Sequence, residues 1–117
     1  MDYEKIKGFL KGPVGLEMAT FNKDLSLNLD ELRKNIQYIF DKGMKNGKGF
    51  IIVPCGTGEY VTLNNDEHFQ MVETAVRSTE GELPVVAGIG TCNFQEAIAL
   101  ANQSKKAGAI CVMIPPP

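Results

Sequence analysis

No apolar run in the 117 residues approaches the ~20 that a membrane-spanning helix needs, so no membrane partner is expected. The opening Met1-Asp-Tyr-Glu-Lys-Ile-Lys7 is too charged for the apolar core of a secretory leader, and a cytoplasmic location is expected. Cysteine is scarce and odd in number. Cys55, Cys92 and Cys111 lie far apart with no Cys-x-x-Cys pair, which excludes a disulfide framework and leaves reduced thiols. With His68 as the one histidine, these cysteines match no common zinc ligand set, so no metal is expected. A basic surplus is also missing: net charge is −2 and the lysines are scattered among acids, which argues against a nucleic-acid partner. Neither a Gly-x-Gly-x-x-Gly fingerprint nor a Walker lysine occurs, so no nucleotide cofactor, and no cofactor of any kind, is expected. Low-complexity tracts are absent, and 44% hydrophobic with 22% charged residues is the composition of a folded globular domain.

What is present is an alternation of two patterns over one domain, residues 1–117, long enough to bury about two-thirds of its unfolded surface. Residues 1–12 read as a leading helix over Glu4 to Leu10, stopped by Gly12-Pro13, and residues 13–117 read as βα units. Short apolar strands are expected at Val14–Thr20, Phe50–Val53, Leu83–Gly90 and Ala109–Ile114. Each of the three gaps holds an amphipathic helix that opens on an Asn-x-x-Glu cap: Asn28 with Glu31, Asn64 with Glu67, and Asn93 with Glu96. Gly43, Gly81 and Gly108 supply the stops. The apolar stripes are Leu29, Leu32, Ile36, Ile39 and Phe40; then Phe69, Val72 and Val76; then Ala97, Ile98, Leu100 and Ala101. Repeats of this kind, ~30 residues apart, predict a parallel sheet with right-handed crossovers. His68, in the first turn of the second capped helix, reads as a solvated surface residue. Glu17, the one charged residue of the first strand, is either functional or sits at a wet strand end, and the second is the simpler reading.

A parallel sheet binds ligands at its strands' carboxyl ends, where Thr20, Gly56-Thr57-Gly58, Gly90-Thr91 and Pro115 to Pro117 are expected to converge. Pro54 ends the second strand, and Gly56 and Gly58 then let a ligand approach the backbone amides of the turn. Those amides and the Thr57 hydroxyl form a candidate nest for a carboxylate or phosphate; an ordinary strand-to-helix turn is the competing reading. Cys55 and Tyr60 flank the turn. Both read first as packing residues, and with Thr20 they are the candidate walls of the pocket.

The run Gly56-Thr-Gly-Glu59, with Thr62-Leu63, Asp66-Glu67, Pro84-Val-Val-Ala-Gly88 and Ile114-Pro-Pro116, resembles the dihydrodipicolinate synthase and N-acetylneuraminate lyase family from about Gly12 onward. The resemblance implies the first four strands of a (β/α)8 TIM barrel, and a barrel that binds pyruvate or another 2-keto acid as a Schiff base on a strand lysine. It also implies that Gly56, Thr57 and Gly58 hold the keto-acid carboxylate. Gly56 stands where the family usually has the first of two threonines, and with the leading helix and the Pro-Pro ending this is more similar to the 5-dehydro-4-deoxyglucarate dehydratase branch. Ala19-Thr20-Phe21 stands where Thr-Pro-Phe is usual. The family's Schiff-base lysine and catalytic tyrosine fall on its sixth and fifth strands, beyond Pro117. No catalytic residue is therefore expected in this chain. None of its ten lysines sits at the carboxyl end of an expected strand.

Two functions follow. One is the amino-terminal part of a Schiff-base lyase or hydro-lyase, acting with a missing carboxyl-terminal half or as a homo-oligomer. The other is a non-catalytic module that binds a small anion or assembles with a partner.

Overall fold

The computed structural model describes residues 2–56, 62–91 and 93–116. Its elements, in chain order, are α1 (Tyr3–Phe9), β1 (Val14–Leu16), α2 (Leu29–Asp41), β2 (Phe50–Ile52), α3 (Asn65–Ser78), β3 (Val85–Gly88), α4 (Phe94–Ala107) and β4 (Cys111–Met113). The four strands form one parallel sheet in the order β1-β2-β3-β4, so every crossover joins neighbours. This is the arrangement of the first βα units of a TIM barrel, as expected.

The asparagines set the helix starts. Asn28, Asn64 and Asn93 each accept through Oδ1 from the third helical amide, at 3.0, 2.8 and 3.0 Å. Among the described residues the return bond that completes the box is made at α3 alone, where the Asn64 amide donates to Glu67 Oε1 at 3.0 Å. At α4 the corresponding Glu96 is engaged instead by the Thr91 hydroxyl, at 3.1 Å. The stop at Gly108 is sterically obligatory. It is left-handed at φ 105°, and a Cβ there would lie 2.9 Å from Val76 Cγ1, so glycine both ends α4 and lets it meet α3.

The sheet buries its two faces unequally. On the helix side Ile51, Val53, Val85 and Ala87 meet Leu32 and Ile36 of α2 and Met71, Val72 and Ala75 of α3 in one fully buried cluster. On the other side Ile52, Val86 and Cys55 form a smaller cluster with Phe50, Ile110 and Cys111 against it. Register extends that second face to the sheet's margins: Val14 lies beside Phe50, Leu16 beside Ile52 and Met113 beside Gly88. There Val14, Leu16, Met18 and Met113 are exposed, because nothing described lies over the inner face of the outer strands.

The strands are shorter than the apolar runs. β1 stops at Leu16, not Thr20, because the chain turns into a loop in which the Asn28 amide donates to the Thr20 carbonyl at 2.7 Å. The ladder does continue by one bond at each of two places, from the Glu17 amide to the Ile52 carbonyl and from the Val53 amide to the Val86 carbonyl. Ile98 departs from its expected role in the α4 stripe. It is 62% exposed, while α4 buries Leu100, as expected, and Ser104.

Candidate functional site

The strands' carboxyl ends bring some of the candidate residues together. Beyond β2, Val53, Pro54 and Cys55 are buried and Gly56 emerges into solvent. Cys55 packs in the inner cluster, and its Sγ–H donates to the Glu17 carbonyl at 3.5 Å, fastening the base of the turn to the end of β1. Cys55 is thus a packing residue of the inner cluster. Thr57, Gly58 and Tyr60, the rest of the candidate nest and its flank, lie outside the described residues. Thr20 is half-buried in the loop after β1, and its hydroxyl donates to the Asn28 carbonyl at 2.6 Å. Its proton is therefore committed to holding the loop, and only its oxygen lone pairs face other partners.

His68 is the residue that sequence reasoning misplaced. Instead of a solvated surface position it is 4% exposed, with Nε2 2.7 Å from the carbonyl oxygen of Gly88 at the end of β3. A carbonyl only accepts, so Nε2 carries the proton and Nδ1 is left as an acceptor, buried and, among the described residues, without a partner. The periodic signal was available: His68, Met71, Val72 and Ala75 recur at three- and four-residue steps and are the buried face of α3. His68 lines a polar cavity of about 190 Å³ with Asn65, Gly90, Thr91, Glu96 and others, between the amino-terminal ends of α3 and α4.

Burial pushes the His68 pKa below its ordinary value, against a smaller opposing pull from the Gly88 carbonyl. A histidine held neutral when folded contributes stability above about pH 6.5, its unfolded value, which is lost as pH falls through that value toward the native one. Urea unfolding is expected to show stability falling between pH 7.5 and 5.5. His68→Gln, which keeps an amide donor for Gly88 but cannot titrate, should flatten the profile. An equally steep profile in that variant assigns the pH dependence elsewhere.

Glu17 is also perturbed by burial. Burial pushes its carboxyl above the usual glutamate value. Among the described residues no group of three or more histidine, cysteine or acidic side chains is arranged to hold a metal ion, and no helix is long and apolar enough to cross a membrane.

A sequence profile of the dihydrodipicolinate synthetase family matches residues 10–117. The chain belongs to this family. Among curated family relatives, a probable 5-dehydro-4-deoxyglucarate dehydratase of Bacillus licheniformis is 35% identical over 107 residues, covering 92% of this chain and 33% of that protein. A 4-hydroxy-tetrahydrodipicolinate synthase of Methanoculleus marisnigri is 41% identical over 85 residues, 72% of this chain and 28% of that protein. The crystal structure of dihydrodipicolinate synthase from Bacillus clausii superposes with a TM-score of 0.79 at 33% identity, over 93% of this chain and 35% of that one. The chain thus spans about a third of the length of the family members it matches.

Proposed function

We propose that this chain is the amino-terminal, substrate-positioning part of a Schiff-base-forming 2-keto-acid lyase or hydro-lyase. The observation that supports this most is the combination of the family match with four parallel strands whose outer pair, β1 and β4, leaves inner-face residues exposed. In the complete barrel a desolvated lysine amine attacks the keto carbonyl and expels water. The resulting iminium withdraws electrons while a C–C or C–O bond breaks. The part assigned to this chain is to hold the carboxylate of a pyruvate-like substrate at Gly56, Thr57 and Gly58, with Thr20, Cys55 and Tyr60 as pocket walls. No catalytic residue is assigned to it. The barrel is completed by a carboxyl-terminal half or by another copy, in the cytoplasm.

The alternative, a non-catalytic anion-binding or assembly module, draws on the lysines. Lys48, the one nearest a strand, precedes the amino end of β2, the wrong end for the ligand. A Schiff-base lysine works only as a neutral amine held beside the carbonyl in a desolvated site. Borohydride reduction of the isolated chain with pyruvate is therefore expected to add no mass, and a stoichiometric adduct overturns the proposed division of labour. Intact mass of the natural product separates the two functions. The first expects a protein of about 250 residues or more, the second one near the present length.

A further inference from the structure

Among the asparagines of the chain, Asn46 alone precedes a glycine. It lies in the loop between α2 and β2, where the Lys48 amide donates to the Lys45 carbonyl at 2.8 Å and closes a β-turn with Asn46 and Gly47 as its central pair. Gly47 takes the left-handed position, φ 82°, that such a turn reserves for glycine. Both central residues are exposed. The Asn46 amide donates to the Glu82 carbonyl at 2.9 Å, in the loop before β3, yet among the described residues neither the Asn46 side chain nor the Gly47 N–H makes a hydrogen bond. A Cβ on Gly47 would meet no atom within 4 Å, so no neighbour screens this peptide group. Asn28, Asn64 and Asn93 are the contrast, because each has its side-chain oxygen engaged at a helix cap and a residue larger than glycine after it. β2 is an inner strand with β1 and β3 on its two sides, so the surroundings of this loop do not depend on the sheet's outer edges.

We propose that Asn46-Gly47 is a self-modification site, at which the folded chain converts Asn46 to isoaspartate and aspartate with water as the only co-reactant. The Gly47 amide nitrogen loses its proton and attacks Asn46 Cγ. The new N–Cγ bond closes a five-membered imide as the Cγ–Nδ2 bond breaks, and Nδ2 leaves with that proton as ammonia. Water then opens the ring. Addition at Cγ returns the ordinary backbone with an aspartate, whereas addition at the α-carbonyl leaves the backbone running through Cβ, one carbon longer, with the carboxylate on Cα. Glycine permits the first step, because no side chain shields the attacking nitrogen. The longer form does not fit the loop, whose two ends are tightly closed: a Cβ on Gly49 would lie 2.7 Å from Met44 Cγ and 3.0 Å from the Pro13 carbonyl oxygen, and one on Gly12 would lie 2.8 Å from the Lys48 carbonyl. With these flanks fixed, the extra carbon is accommodated by giving up the bond from Asn46 to Glu82 or from Lys48 to Lys45, close to where the Phe50 amide opens the ladder to the Pro13 carbonyl. β2 is loosened at its start.

Incubation of the purified chain at 37 °C and pH 7.5, followed by peptide mass spectrometry with fragmentation that separates isoaspartate from aspartate, tests the site. Asn46 is expected to gain about 1 Da, at a rate within about threefold of that in the urea-unfolded chain, while Asn28, Asn64 and Asn93 stay unchanged. Asn46→Gln, whose longer side chain would have to close a six-membered ring, should gain nothing. The isoaspartate form, separated by chromatography, is expected to melt about 3–6 °C below the fresh chain, and Asn46→Asp, with a backbone of ordinary length, within about 1 °C of it. A folded chain that reacts at less than about a tenth of its rate in urea overturns the site, as does a gain of about 1 Da that persists in Asn46→Gln. An isoaspartate form that melts together with the fresh chain overturns the loosening of β2.

Discussion

Ile51→Ala is expected to lower the unfolding free energy of this chain by about 2–5 kcal/mol, whereas Leu16→Ala should cost less than about 1 kcal/mol. The two residues lie on neighbouring strands, in β2 and β1, but on opposite faces of the sheet. Ile51 is 0% exposed in the cluster with Leu32, Ile36, Met71 and Val72, where removal of three carbons leaves a cavity that the surrounding helices only partly close. Leu16 is 49% exposed on the inner face, so its side chain has little burial to lose. A domain of this size has only about 5–15 kcal/mol of stability, so the first substitution removes a large share of it. Urea unfolding followed by circular dichroism gives both values. If Leu16→Ala proves as costly as Ile51→Ala at a concentration where the protein is associated, but not on dilution, the inner face is covered by assembly. If the two costs are equal at all concentrations, the open inner face is wrong.

The elements that were legible in the sequence are those fixed by local chemistry. Asn28, Asn64 and Asn93 cap helices because a short side-chain oxygen reaches the third amide whatever the tertiary context, and Gly108 stops α4 because the left-handed turn excludes a Cβ. The run Phe50–Val53 reads as a strand covered on both sides, and Ile51, Ile52 and Val53 are buried on alternate faces. What local pattern could not supply was tertiary. Whether His68 meets water or the end of β3 depends on where α3 docks; a polar side chain on the apolar stripe was read by its type and not by its phase. Phe94 and Ile98 show the reverse. Both are apolar in a helix and yet 86% and 62% exposed, lining an open cavity of about 400 Å³ with Ile114 and Pro115. Glu17 combined both difficulties: its position in an apolar run marked it as unusual, but only the order of the strands puts it at an edge. In the candidate site, the end of β2 before Pro54 was legible, whereas the engagement of the Thr20 hydroxyl by Asn28 follows from loop closure over eight residues.

That difference between the two threonines frames the remaining expectation, which rests on the proposed carboxylate site. Thr57→Val should weaken pyruvate binding by about 1–2 kcal/mol, roughly 5- to 30-fold, in the protein with its barrel complete. Valine keeps the shape of threonine and removes only the hydroxyl, so the loss isolates one hydrogen bond to a charged acceptor from the packing of the turn. In the described chain that precedes Thr57, Pro54 and Cys55 are buried, and the Cys55 thiol donates to the Glu17 carbonyl. Thr20→Val is the matched comparison. Its hydroxyl proton already goes to the Asn28 carbonyl, so this variant should lower stability through the loop while changing the pyruvate Kd less than Thr57→Val does. Titration calorimetry with pyruvate and with its uncharged methyl ester completes the test, because a bond to the carboxylate should be lost for the acid and not for the ester. An unchanged Kd for pyruvate in Thr57→Val, or equal losses for acid and ester, removes the hydroxyl from the site.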